Sequence, residues 1–246
     1  MDKLVVMSDL QINYQDDKTL GSVFKFLGEF QPQTLVLNGD VIDMTALSHF
    51  GMTLEQRASL DVQQQQLGAV LEKLRRTVPE ARIVYVMGNH EQRLHDYIDE
   101  NAAELGFLKG DELSFEKFAG LARYGIELVR PWGNGFDWHG VLITHGSIIR
   151  ENTAKANLLR EGTSGVSGHT HRISSFYKTN RSGSHAWVEG GCLCSIRGAK
   201  PPPNTPGVVD WQQGFVVGYW DSGIWNLYPI SITSHCFIFN GQLYRP

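Results

Sequence analysis

Residues 82–91 read RIVYVMGNHE. An apolar run over 82–87 passes directly into Gly88, Asn89, His90 and Glu91, and a helical pattern of Leu94, Tyr97, Ile98 and Leu105 takes over at once. A strand that ends in polar residues and feeds a helix is the repeating unit of an α/β sheet. The same grammar recurs. Residues 4–7 end at Ser8 and Asp9, residues 34–37 end at Asn38, Gly39 and Asp40 with Asp43 just beyond, and residues 141–144 end at His145 and Gly146. Between these runs lie helical patterns. One covers 19–29 with Leu20, Val23, Phe24 and Leu27 on one stripe, closed by Pro32. A longer one carries Leu60, Leu67, Leu71, Leu74 and Val78, with the glutamines at 63–66 mostly outward, and Pro79 stops it. Shorter helices are predicted over 113–121 and 152–159.

From Gly165 onward the chain turns to short strands broken by glycines, with a Pro-rich loop over 199–207. No internal repeat and no linker interrupts it. The expectation is one domain over 1–246, an α/β half over about 1–164 and a β-rich half over about 165–246, feeding one core.

Residues 165–171, GVSGHTH, place two histidines one residue apart. On a helix His169 and His171 would diverge by about 200°. In an extended segment both rings leave the same side and can serve one site.

Composition narrows the function classes. The net charge of −4 does not describe a chain that coats nucleic acid, although it leaves room for a local basic patch. No stretch approaches the roughly 20 apolar residues of a membrane span. The opening MDKLVVMSDLQ reads as a first strand, not a secretory signal. Cys192, Cys194 and Cys236 are an odd, sparse set that fits a reducing, cytoplasmic setting. The Cys192-x-Cys194 pair has a metal reading, and small buried strand side chains are favoured over it.

The polar clusters gain meaning together. Ligand sites in open α/β sheets lie outside the carboxyl ends of the strands. Glycines 39, 88, 146 and 168 let the backbone turn so that neighbouring polar side chains reach inward. The donors collected this way are Asp9, Asp40, Asn89, His145, His169 and His171, with Gln11 in question. Oxygen and imidazole donors suit manganese first, with iron, zinc and nickel as alternatives. The set is too large for one tetrahedral ion and right for two. Two ions some 3.5–4 Å apart form a clamp for in-line displacement at phosphorus, with one carboxylate bridging them.

These blocks, GNHE and GHTH above all, resemble those of the calcineurin-like metallophosphoesterase superfamily. The resemblance implies two facing mixed β-sheets flanked by helices, a four-layer α/β-β/α sandwich, with a dinuclear site at the strand ends. It implies that Asp9 and His171 hold the first metal, that Asp40 bridges, and that Asn89, His145 and His169 hold the second. By the same resemblance His90 assists the leaving group at the scissile phosphate, and Asp43 orients it. A carboxylate so placed also fixes the ring and favours its protonated form.

One position departs. The family's first block is Asp-x-His, and this chain has Asp9-Leu10-Gln11. Gln11 ligates directly, acts through water, or leaves the first metal weakly held; the otherwise intact set favours the first two. Arg93, Arg150 and Arg172 lie near the blocks and are candidates to grip phosphate. His49 is the best of the unmatched histidines for substrate contact; His95, His139, His185 and His235 read as structural. Glu91 sits where its charge meets a helix N-terminus. Trp211 reads as packing before base stacking.

The resulting expectation is a hydrolase in which a metal-bridging hydroxide attacks a phosphate ester in line. A phosphodiester in a nucleotide or short nucleic acid is favoured. The alternatives are a phosphomonoesterase or protein phosphatase, for which Met44-Thr45 after Asp43 is unlike the usual Arg-Gly, and a non-catalytic scaffold.

Overall fold

The computed structural model of the protein describes residues 1–48, 60–130, 135–196 and 209–246. His49 and the Pro-rich loop over 199–207 fall outside the described residues.

The first sheet is built from β1 (Asp2–Met7), β2 (Thr34–Asn38), β3 (Arg82–Val86) and β4 (Ile126–Val129), all parallel. Helices α1 (Asp17–Phe30) and α2 (Leu60–Thr77) connect successive strands and cover one face. The second sheet runs β5 (Phe136–Trp138), β6 (Val141–Ile143), β7 (Gly165–Ser167), β9 (Gly183–Gly190), β8 (Ile173–Asn180) in spatial order. Helix α5 (Thr153–Glu161) covers its outer face, with Ala154 and Leu158 on Trp187. Strands β10 (Gly214–Asp221) and β11 (Ile224–Ser231) return to the first sheet, β10 antiparallel to β1. A ribbon of β12 (Phe237–Phe239) and β13 (Gln242–Tyr244) closes over Phe26.

Alternation along β1 shows why this sequence makes layers. Val5 and Met7 join the cluster under α1 and α2, while Leu4 and Val6 face Val141, Ile143, Val166 and Val188 of the second sheet. A strand buried on both faces reads as a continuous apolar run, which is why these runs stand out in the sequence. The architecture is α/β: two facing mixed sheets flanked by helices.

Several local expectations change. The strand at 141–143 belongs to the second sheet; β4 and β5, too short and mixed in polarity to stand out, lie between it and β3. The strands after 165 are divided between the sheets, because the open edge of β1 takes β10. On α3 (Asn89–Asn101) Ile98 is buried, but Tyr97 is exposed, and Leu105 is exposed on the 3₁₀ stretch that follows. The helix predicted over 113–121 shortens to α4 (Phe115–Ala119), which Gly120 ends in a left-handed turn. Gln63, expected outward, is fully buried and reaches Thr45.

Helix α1 opens on Asp16, whose carboxylate accepts from Thr19 N at 3.1 Å and from Gln213 Nε2 at 2.9 Å. Burial pushes this carboxyl up, but the Gln213 and Thr19 donors and His235 outweigh it and hold it below the usual range. Asp16→Ala should lower stability by about 1 kcal/mol at neutral pH, read as a shifted urea midpoint. Because the folded-state value is depressed, the gap between wild type and variant should close as the pH falls below about 4.

Candidate metal and phosphoester site

The candidate ligands stand on strained backbone. Asp9 (φ 53), Gln11 (φ 51), Asp40 (φ 49), His169 (φ 71) and His171 (φ 58) all occupy the left-handed region. Such conformations cost of order 1–3 kcal/mol each for non-glycine residues and persist only where surroundings over-determine them. Here the loops hold each other: Asp9 N donates to Gly39 O (3.1 Å), Gln11 N to Asp40 O (2.9 Å) and Gly168 N to His145 O (3.1 Å). The extended reading of His169-Thr170-His171 is therefore corrected. Strand β7 stops at Ser167, His169 N donates to Asp9 Oδ2 (3.0 Å), and the two rings part. His169 stands edge-on to His145, centroids 5.2 Å apart, while His171 Nε2 lies 3.1 Å from Asp9 Oδ1.

Glycines 88 and 168 are needed for space, not for turning. A Cβ on Gly88 would come within 2.3 Å of Asp40 Oδ1, and one on Gly168 within 1.8 Å of Ser8 Oγ.

Asp40 is fixed from below by Glu91. Glu91 is fully buried, and its carboxylate accepts from Asp40 N (2.9 Å), Val41 N (2.8 Å), Ile42 N (3.3 Å), Gly88 N (2.7 Å) and the Tyr85 hydroxyl (2.7 Å). Burial, then the nearby Asp40 charge, raises its pKa against the pull of these donors. Asp40 itself accepts from His90 N (2.9 Å) through Oδ1, and its Oδ2 lies 3.2 Å from His145 Nε2 and 3.6 Å from His90 Nε2. Gln11 Nε2 approaches the same oxygen at 3.4 Å, so Gln11 does face Asp40.

His145 is oriented by β2: its Nδ1 donates to Asn38 O at 2.8 Å, and Asn38 Nδ2 donates to Thr144 O at 3.0 Å. This bond directs Nε2 toward Asp40. His90 Nδ1 meets Asp43 Oδ1 at 2.8 Å. Thr45 donates to Asp43 Oδ2, and buried Gln63 reaches Thr45 Oγ1 at 3.5 Å, so a polar chain runs from α2 to His90. Burial lowers the His90 pKa, but Asp40 and Asp43 outweigh burial and Arg93 and raise it. Arg93 donates to Asp43 O (2.7 Å) and stands 3.1 Å from His90 Nε2. Arg172 is tied to Arg150 O (2.5 Å) and Thr153 Oγ1 (2.9 Å) at the start of α5. Asn89, the first residue of α3, is exposed on a cavity wall shared with His145 and His169.

The calcineurin-like phosphoesterase signature matches residues 3–187. The chain belongs to the calcineurin-like phosphoesterase family. Two curated relatives are similar over most of their length. The Gene 54 protein of Mycobacterium phage D29 is 29% identical over 227 residues, covering 87% of each chain. That of Mycobacterium phage L5 is 27% identical over 230 residues, covering 87% of this chain and 88% of the relative. Among solved structures, Chaetomium thermophilum Vps29 superposes with a TM-score of 0.49 at 14% identity, covering 100% of this chain and 92% of that one. A dimetal phosphatase from Danio rerio superposes with a TM-score of 0.46 at 13% identity, covering 90% and 93%.

The phosphoesterase is a hydrolase of phosphate esters, and its family implies divalent metal ions. The donor set fits them. Asp40, His145 and His169 each offer an atom within 4.8 Å of the other two. Asp9 Oδ1, His145 Nε2 and His169 Nδ1 are buried without a hydrogen-bond partner. With Nδ1 committed to Asn38, a neutral His145 would turn its Nε2 lone pair toward a carboxylate oxygen of Asp40 at 3.2 Å, a repulsion that a proton or a bound cation relieves. Burial opposes protonation of His145, yet the fields of Asp40 and Asp9 push its pKa to about 10.

The sequence did not single out Glu91 as a loop anchor, Asn38 as the guide of His145, or Arg130 and Arg160 on the cavity wall. Asn38 and Glu91 sit inside the blocks already quoted; nothing marks the two arginines. Glu91→Gln keeps the shape but turns an amide donor toward backbone N–H groups. It should lower stability by about 2 kcal/mol or more in urea unfolding and weaken metal binding about tenfold in a titration.

Proposed function

We propose that the phosphoesterase cleaves phosphodiesters in nucleotides or short nucleic acids. In this reading Asp9, His171 and Gln11 hold one cation, Asn89, His145 and His169 the second, and Asp40 stands between. Manganese is the favoured ion. The supporting observation is a cavity of about 730 Å³ that runs from Asn89, His145 and His169 past Val86, Met87 and Leu142 to Arg130 and Arg160. That volume exceeds the needs of one phosphate group and suits a drug-sized organic ligand. The arginines would grip the anionic remainder of the substrate.

Two cations bound there would supply an activated water and neutralise the phosphate oxygens. The chain does the rest. Glu91 and Asn38 hold Asp40 and His145 in place. Asp43 keeps Nδ1 of His90 protonated; Nε2, which faces the Arg93 guanidinium in this structure, would exchange that partner for a proton and give it to the departing oxygen. A scaffold would have no use for this oriented pair. The reading also takes 1–246 as one domain, since the apolar layer between the sheets draws on strands from both halves. The cysteines, all free, support a cytoplasmic setting.

With Mn²⁺, bis(p-nitrophenyl) phosphate should show the higher kcat/KM; a clear preference for p-nitrophenyl phosphate would overturn the diester reading. His90→Ala should lose about 10²–10⁴-fold with a poor alkoxide leaving group and less with nitrophenolate. Asp40→Asn should lose metal and activity together, and full activity there would remove Asp40 from its central position. Gln11→His should tighten one of the two ions in a metal titration; unchanged affinity would take Gln11 out of the ligand set.

A further inference from the structure

The face of α3 that lines the cavity carries more than a candidate metal donor. Asn89, Gln92 and Asp96 all stand on the cavity wall. Spaced three and then four residues apart, they fall within about 60° of one another around the helix. At 1.5 Å of rise per residue, Asp96 lies roughly 10 Å along the axis from Asn89. A phosphate seated at the candidate cations therefore leaves Asp96 beside the next part of the substrate, not beside the phosphorus.

Asp96 is out of place in a cavity for an anion. A phosphodiester brings negative charge, and a bare carboxylate on the wall repels it. The other carboxylate there, Glu161, is offset by Arg160, whose Nε donates to Glu161 Oε1 at 2.6 Å. Asp96 has no such partner. Among the described residues no lysine or arginine forms an ion pair with it, Arg130 on the same wall included. Its side-chain hydrogen bond is with Gln92, whose Nε2 donates to Asp96 Oδ1 at 3.1 Å. That bond holds the half-buried carboxylate on the cavity stripe and leaves Oδ2 to accept from elsewhere.

An ionised carboxylate only accepts hydrogen bonds, so its substrate partner must be a donor placed a few bonds from the phosphorus. The sugar hydroxyls of a ribonucleoside 5′-phosphate ester meet that description. They are vicinal, and an acidic side chain takes the ribose hydroxyl in the same way at dinucleotide sites. Val86, Met87 and Leu142 supply the apolar wall that a base requires.

We propose that the substrate is a ribonucleoside phosphate ester and that Asp96, positioned by Gln92, selects ribose over deoxyribose. The 2′-hydroxyl is the donor that the two sugars do not share. The inference rests on the phosphodiesterase reading above. The competing donor is an exocyclic amino group of the base, which would make Asp96 a base selector instead.

The test is kcat/KM of the full chain with Mn²⁺ on the 5′-(p-nitrophenyl phosphate) esters of uridine, 2′-deoxyuridine and cytidine, beside bis(p-nitrophenyl) phosphate as a diester without sugar. Wild type should favour uridine over 2′-deoxyuridine by about tenfold or more. Asp96→Ala should bring that ratio close to one, mainly by slowing the uridine ester. Equal rates on the two sugars in wild type, or a ratio that survives Asp96→Ala, overturns the proposal. So does a preference for cytidine over uridine in place of the sugar preference, since only cytidine carries the amino group. These outcomes leave the phosphodiesterase reading standing as long as the diesters are cleaved; no cleavage of any of them would sink both. Should Asp96→Ala fail to fold, Asp96→Asn keeps the shape and removes the charge. Its ratio should fall, and an unchanged ratio there overturns the proposal.

Discussion

The Glu91 carboxylate is the constraint on which the rest of the site depends. It lies under the loops that follow β2 and β3 and accepts backbone N–H groups from both, along with the Tyr85 hydroxyl. Burying a carboxylate is expensive unless hydrogen bonds replace its water, and several charge-assisted bonds converge here. The result is that Asp40 is held in a left-handed conformation that its own side chain disfavours. Asp40 turns its Oδ2 toward the His145 and His90 rings and leaves the N–H groups of its own loop to another carboxylate. Glu91 takes over that task from a protected position, so folding and site assembly share one set of bonds.

The same division of labour recurs around the site. Asn38 directs His145, the Gln63–Thr45–Asp43 chain directs His90, and the Asp9 carboxylate takes the His169 amide. Each supporting group comes from a different strand or helix end. The facing arrangement of two sheets brings these ends together, because β1, β2 and β3 deliver their carboxyl ends to the rim that β6 and β7 also reach. Strain at five candidate positions is then offset by packing elsewhere, through the apolar layer between the sheets.

Chemical character also divides across the site. His145 and His169 stand with Asp40 in an oxygen and nitrogen environment, whereas His171 backs onto sulfur. His169 and His171 both take left-handed backbone, and His169 lies against His145 while His171 lies against Asp9. The cavity opens on the side of His145 and His169, and Trp211 covers the side of His171.

The α/β class and the strand ends were legible in the sequence. Buried parallel strands must be apolar throughout, and polar residues at their ends then stand out against them. RIVYVMGNHE carries that contrast in ten residues. Edge elements such as β4 were not legible, since a short, half-exposed strand has no such contrast. Nor were Glu91 as an anchor, buried Gln63, or the approach of Cys194 to within 4.8 Å of His171, whose partners lie far off along the chain. Local pattern reports the burial of a residue and the period of its element. Which distant carboxylate, amide or thiol comes to lie against it is decided only when the two sheets close face to face.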